Sequence, residues 1–419
     1  MVLLIENCVQ EPYRWMDQKV ELRAGAAAAR GELLEAKIYA ELETLRTEKD
    51  SQIFVGRVMS ETNEELTDHK LAISAHSVVL ESCSGDQSSV KIFLNECPDY
   101  LLYTGQIVGV LGRSSAAGLH AQLVLPGAAI PEIVYPQDKN IVSPAPVHLT
   151  VASGPYSPEN MLIFDSISDL EVRVRDNPPD KLVLMGPFLD LNHPIIASGI
   201  VQDSFGRPAT FEDIYREEII PKLARLARAC ENARTELIIV PSTSEARIDV
   251  PLPQPPINTL RVPIWQQLTK ELPSHVKCVS NPASLQIGGL NVMITSADAL
   301  SSINTNLLYK QGENQQSRVD ACLEQFLKAR TLFPVMPSAL RVEPSLRHTL
   351  DISDDGDSFP HIIILPSLSG KRFVKKIAGR VFVNPGFMSD ATGSSSSIAE
   401  LVLNPGVLPD SVSGEALKL

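Results

Sequence analysis

Between residues 147 and 386 six short apolar runs each stop at a Gly, Pro or Ser: VHLTVAS (147–153), KLVLMG (181–186), ELIIVPS (236–242), LNVMITS (290–296), HIIILPS (361–367) and RVFVNPG (380–386). Short apolar runs closed by residues that break regular structure read as strands. The segments between them include helical patterns at roughly 211–232 and 317–330. Strands alternating with helices build an α/β sheet layer, and such sheets place ligands and catalytic groups at the C-terminal tips of their strands. Any chemistry in this chain belongs at those tips.

The first third has a different texture. Leu34, Ile38, Leu42 and Leu45, spaced by four, four and three, give the 16–48 segment one apolar stripe on a charged helix. From 52 to 126 come short alternating runs: QIFVGRVM, KLAISAHSVVLES, SVKIFLN, QIVGVLGRSS and HAQLVLP. Five such strands in about 75 residues suit a small closed barrel such as an OB-fold. The Pro-rich 126–146 stretch has no period and reads as a connector. The expected organisation is therefore a helical segment (1–49), a barrel (50–130), a connector (131–146) and an α/β domain (147–419).

Charge narrows the function. With 37 Lys and Arg against 50 Asp and Glu, the net charge of -13 disfavours a chain whose main task is to coat phosphate backbones. Single-strand binding by the barrel is a weak alternative, because residues 50–130 hold four Lys or Arg, nine Asp or Glu and only Phe54, Phe93, Tyr100 and Tyr103 as aromatics. A protein-contact role fits better. The six cysteines (8, 83, 97, 230, 278 and 322) form no CxxC pair and read as reduced core thiols. MVLLIENC is too short a run for a signal peptide, and nothing approaches a membrane span, so an intracellular, soluble chain is expected.

The strand ends resemble, in order, those of the calcineurin-type metallophosphoesterases, whose signature runs DxH, GDxxD, GNH[DE], a later His and GHxH, with an NPG turn close behind. That series supplies hard oxygen and imidazole ligands to two metals. Here the resemblance covers the frame and not the ligands. SGPY puts Gly154 and Tyr156 where the carboxylate and imidazole would stand, and GPFLD puts Pro187 at the metal-bridging Asp. VPST brings Ser242 and Thr243 to the GNH[DE] position, PSLS brings Ser367 and Ser369 to GHxH, and NPG (384–386) survives. The resemblance thus implies no catalytic residue, no metal and no cofactor. His148, His193, His275, His348 and His361 match no ligand position; His193 and Asp190, close to GPFLD, are the least bland groups left. A phosphoesterase with a non-standard metal site is the enzymatic alternative. No phosphate-binding Gly loop or GxSxG elbow occurs. QIGGLN (286–291) reads as a β-turn, KRFVKK (371–376) as a solvated basic helix face, and TGSSSS (392–397) as a flexible loop.

A barrel followed by a phosphoesterase-like domain stripped of its ligands resembles the B (second) subunits of eukaryotic replicative DNA polymerases, and among them most closely those of DNA polymerase α–primase. The words that carry this are PYRWMDQK (12–19), GQIVGVLG (105–112), ASGPYS (152–157), GPFLDLNH (186–193), VPS with PQPP (240–242, 253–256), SNPASLQIGGLNVMITSADAL (280–300), ILPS (364–367) and VFVNPG (381–386). The fold class this implies is mixed α/β: an N-terminal helix, an OB-fold β-barrel, then a calcineurin-like phosphoesterase β-sandwich flanked by helices. The function it implies is that of a nuclear, non-catalytic scaffold. Its partners would be the C-terminal domain of the polymerase catalytic subunit and the primase subunits, with DNA met through the complex and no membrane. The family usually carries a further N-terminal helical domain, and the functions of that part are not carried over to this chain.

Overall fold

The computed structural model describes residues 3–6, 20–48, 50–61, 73–83, 88–134, 145–202, 206–260, 262–273, 275–312, 316–336, 340–343, 351–353, 358–393, 395–404 and 412–419. They form two units: 1–13, 133–298 and 357–419 make one, and 14–132 with 299–356 make the other.

The first unit contains two six-stranded sheets. One runs Lys277–Cys278, Glu236–Val240, Lys181–Met185, Val147–Ser153, Ser397–Leu403, Val412–Lys418. The first four of these are parallel, and Ser397–Leu403 joins antiparallel. The other runs Leu3–Glu6, Ala283–Ile287, Leu290–Ile294, Ile362–Ile364, Arg380–Asn384, Phe373–Ile377, with its three central strands parallel. Side-chain alternation explains the unbroken apolar runs. Leu149, Val151, Val183, Met185, Ile238 and Val240 face Val292, Ile294, Ile362, Ile364, Val381 and Val383 in a core between the sheets. Their neighbours Ala152, Leu182, Leu184, Leu237 and Ile239 face the helices Asp165–Asp176 and Ile220–Ala233. Successive residues of these strands are mostly apolar because both faces are covered.

In the second unit Gln52–Ser60, Val78–Glu81, Ser89–Phe93, Gly118–Leu125 and Ile107–Ser115 close into a barrel around Val58, Leu80, Ile92, Val108, Val110 and Ala121. The helix Val20–Leu45 lays Leu34, Ile38 and Leu42 on Val55, Ile107 and Leu111. Gly109 permits that approach, since a Cβ there would lie 2.4 Å from both Ile38 and Leu42.

The structure departs from the sequence reading at several places. KRFVKK is not a helix face: Phe373–Ile377 is a strand, joined to Arg380–Asn384 by the turn Ala378–Gly379, whose φ values of 47° and 76° suit a tight hairpin. QIGGLN does form a turn of the same kind at Gly288–Gly289. Leu45 leaves the stripe and is exposed. In KLAISAHSVVLES only Val78–Glu81 is strand within the described part. Strands not anticipated include Tyr100–Leu102 and Ser397–Leu403, the second beginning at the last serine of the tract read as a loop. Residues 299–356, expected with the sandwich, group with the barrel because Leu308–Lys310 pairs with Tyr100–Leu102, the Gln106 amide donates to Gln325, and the Met336 N–H donates to the Thr104 carbonyl. PYRWMDQK, His348 and most of the connector lie outside the described residues.

Candidate functional site

Parallel strand order puts the C-terminal ends of Val147–Ser153, Lys181–Met185 and Glu236–Val240 on one rim of their sheet. Gly154, Tyr156, Pro187 and Ser242 meet there, all buried. The Gly154 N–H donates to the Met185 carbonyl at 2.9 Å. A Cβ on Gly154 would sit 2.0 Å from the Pro187 carbonyl oxygen, and one on Gly186 3.1 Å from the Ser242 Cβ. Tyr156 donates its hydroxyl to the Met185 carbonyl at 2.8 Å and stacks on Phe188 with ring centroids 5.4 Å apart. The tips are therefore closed by backbone and aromatic packing.

Glu245 lies beneath them. It is buried, and its carboxylate accepts from the Phe188 N–H at 2.7 Å, the Leu189 N–H at 2.8 Å and the Tyr215 hydroxyl. It makes no ion pair among the described residues. Burial pushes its carboxyl up to about 7. The same burial, with the Glu245 charge adding to it, raises Tyr156 and Tyr215 well above the ordinary phenol range. Tyr215 sits in one π turn, Tyr215–Ile219, set just before Pro221, which has no N–H to continue the regular ladder. Trp265 packs edge-on to Tyr215 at 5.1 Å and lies 6.1 Å from Phe188, completing an aromatic wall.

Beside this lies a neutral network that ties the two sheets. The Asn281 amide donates to Gln254 at 2.9 Å and Ser296 at 2.8 Å, and its oxygen accepts from Thr295 at 2.9 Å. Gln254 in turn donates to the Ser242 carbonyl at 3.0 Å, and Ser296 to the Pro241 carbonyl at 2.6 Å. On the rim of the second sheet, Asn384 of the NPG turn accepts from the Ser367 and Gly386 N–H groups and donates to the Ser367 carbonyl. Ser367 also accepts from the Ser369 N–H at 3.0 Å. The surviving NPG is thus a clamp on the PSLS loop, and Ser367 and Ser369 close that loop.

This donor set does not fit a dinuclear metal centre. Pro187 and Gly154 offer no side-chain donor, the Tyr156 and Ser367 hydroxyls are committed to backbone, and Ser242 bonds Ser244. Among the described residues no group of three or more His, Cys, Asp or Glu is placed to hold a metal. Thr243 is half-buried. Asp190 accepts from the Asn192 N–H at 3.0 Å, and burial raises its carboxyl. His193 caps the short helix Pro194–Ala197, accepting from the Ile195 N–H and bonding the Pro158 carbonyl. His361 is held between Asn291 and Val134. Asp190, His193 and His361 are thus each engaged in hydrogen bonds within the fold. The sequence reading missed Glu245 and Tyr215, which no motif marks, whereas Gln254 and Asn281 lie inside the words PQPP and SNP and could have been weighed.

A family model for the B subunit of DNA polymerase alpha/epsilon matches residues 149–375, more than half of the chain. The chain is 27% identical over 376 residues to the B subunit of DNA polymerase alpha from Schizosaccharomyces pombe, covering 85% of this chain and 60% of that protein. It is 27% identical over 365 residues to the B subunit of DNA polymerase alpha from Mus musculus, covering 84% of this chain and 54% of that one. The chain thus spans little more than half the length of these curated relatives. A crystal structure of Chaetomium thermophilum Vps29 overlaps 65% of the chain and 97% of its own at 9% identity and a TM-score of 0.26, too low to carry weight.

Proposed function

Because the chain belongs to the family of DNA polymerase alpha/epsilon B subunits, we propose that it is a nuclear, non-catalytic accessory component of a DNA polymerase α–primase assembly. In this reading it holds the C-terminal domain of the catalytic subunit, keeps primase attached, and meets DNA through the complex. The observation that carries the non-catalytic part is the Gly154–Pro187 contact. The Gly154 tip lies against the Pro187 backbone, so a carboxylate at 154 could not be seated without parting the two strand ends, and Pro187 itself carries no side-chain donor. Gly154, Tyr156, Pro187, Ser242, Thr243, Ser367 and Ser369 are, in this proposal, former ligand positions turned over to packing.

A scaffold needs surface, and the loops that follow the strand tips supply it. Met161, Ile163, Leu191, Ile200 and Leu368 are exposed there, the last two at 71% and 80%. Exposed large apolar side chains of this kind are what a protein partner can cover. The test is purification of the tagged full-length protein from cells. The expected result is recovery of one large polymerase chain and two primase chains in stoichiometric amounts. Recovery alone, together with bound Mn, Fe or Zn and turnover of a generic phosphodiester, would refute it.

A second reading has one observation in its favour. On the barrel Phe93 and His120 stack at 4.8 Å and 21°, the kind of platform on which bases stack. The nearby cations are already matched, Lys91 with Glu61 at 2.6 Å and Arg113 with Glu48 at 3.0 Å, which leaves little charge for phosphates.

A further inference from the structure

The barrel unit holds a cleft of about 220 Å³ between the strand pair Tyr100–Leu102 and Leu308–Lys310 and the helix Arg318–Lys328. One face of that helix is turned to it, with Ala321, Gln325 and Lys328 spaced by four and three. Gln325 is the unusual member of this wall, a polar side chain only 2% exposed.

The hydrogen bonds behind Gln325 fix which end of its amide faces the cleft. The Tyr103 N–H donates to the Gln106 side-chain oxygen at 3.1 Å, which leaves the Gln106 amide nitrogen for two acceptors, the Pro126 carbonyl at 3.1 Å and Gln325 at 3.0 Å. A backbone N–H only donates and a backbone carbonyl only accepts, so the Gln106 amide has a single orientation. Gln325 therefore meets Gln106 with its oxygen, and its own amide nitrogen is held on the other side. Gln325 lines the cleft and Gln106 does not, so that nitrogen is turned to the cleft. No acceptor meets it among the described residues. A buried donor left without an acceptor is costly, so an acceptor entering the cleft gains from it.

Lys310 lines the same cleft. Its ammonium donates to the Cys97 carbonyl at 2.8 Å and lies 6.0 Å from the centre of the Tyr100 ring, and it makes no ion pair among the described residues. The acids nearby do not answer these groups. Glu324 is held by Lys328 at 3.0 Å and by the Gln316 amide at 3.1 Å, and Asp99 is exposed to water at the mouth.

We propose that this cleft is a binding site for the carboxylate of an acidic side chain presented by a protein partner. A carboxylate only accepts and is negative, so it satisfies the Gln325 donor and offsets the Lys310 charge together. The cleft is smaller than the about 300–1,000 Å³ of sites that enclose a whole small-molecule ligand, which suits one side chain. Val124, Pro126 and Ala321 supply apolar wall for its methylene stem. The site lies within the barrel unit and does not depend on which assembly the chain serves.

The test titrates N-acetylglutamate N-methylamide, one acidic side chain on a capped peptide unit, into the isotope-labelled full chain at constant ionic strength, following the side-chain amide resonance of Gln325. A saturating shift is expected. Binding should be at least about tenfold weaker for the neutral isostere N-acetylglutamine N-methylamide, and at least about tenfold weaker in Lys310→Met. Gln325→Glu, which keeps an acceptor toward Gln106 but turns a like charge on the probe, should abolish it. Lys310 is exposed, so Lys310→Met decides the matter if Gln325→Glu fails to fold. The absence of a saturable shift, equal binding of the two capped probes, or an unchanged affinity in Lys310→Met would overturn the proposal. Acetate binding as tightly as the capped glutamate would also overturn it, since that marks a site for free small carboxylates.

Discussion

Replacing Gly154 by alanine is the most direct probe of the closed strand tips. The added Cβ would lie 2.0 Å from the Pro187 carbonyl oxygen and 2.9 Å from the Pro187 nitrogen and carbonyl carbon. Ordinary non-bonded contacts with carbon fall near 3.3–4 Å, so two strand ends have to part by more than about 1 Å. Both partners are backbone, so no flexible side chain can swing away. Overpacking of this kind costs about 1–3 kcal/mol. The Gly154 N–H···Met185 bond of 2.9 Å lies on the same approach, and its loss would add about 1 kcal/mol. A destabilisation of about 3 kcal/mol follows, which for a unit of this size lowers Tm by about 6–12 °C. Thermal and urea unfolding of the full chain, followed by the fluorescence of Trp265 in a Trp15→Phe background, would measure it. Gly370→Ala, in the same unit, is the control: a Cβ there would have its nearest neighbour, Phe373, at 3.7 Å, an ordinary contact, so stability should stay within about 0.5 kcal/mol of the parent. If Gly154→Ala unfolds within about 0.5 kcal/mol of the parent, the tips are not in contact and the argument for a closed pocket fails.

Three further outcomes are expected. Asn281→Ala strips the inter-sheet network of its shared amide and leaves Gln254, Thr295 and Ser296 short of partners, so the urea midpoint should fall by the equivalent of about 3 kcal/mol with an unchanged slope. Gly109→Ala drives a methyl into Ile38 and Leu42 and should cost the barrel unit about 1–3 kcal/mol by thermal unfolding, less if those side chains find new rotamers. The folded-state value of Glu245 is raised from 4.5 to about 7, so its contribution is fully present below the unfolded value and is lost as pH rises through 7. Stability measured across that window should decline by an amount on the order of 3 kcal/mol in the parent, and Glu245→Gln should remove the decline.

What was legible in the sequence, and what was not, follows from how each feature is encoded. The sandwich strands were legible because burial on both faces demands apolar residues without interruption, and Ile362–Ile364 or Leu182–Met185 satisfies that demand within the run itself. The basic strand Phe373–Ile377 was not, because it is an edge: it pairs on one side only, with Arg380–Asn384, and its lysines interrupt the apolar alternation that would have declared it. Edge strands tolerate Lys because it discourages further pairing, and the same residues imitate a solvated helix face. Gly154 and Pro187 stood out in the sequence because, in the resemblance to metallophosphoesterases, each stands where a metal ligand is expected. Glu245 stood out nowhere, since a glutamate three residues beyond Ser242 looks like any surface acid until three donors converge on it. That contrast has a physical root. A missing donor is visible as a residue of the wrong type, but a group that helps hold the strand tips together acts through distance and burial, and neither is written in residue type.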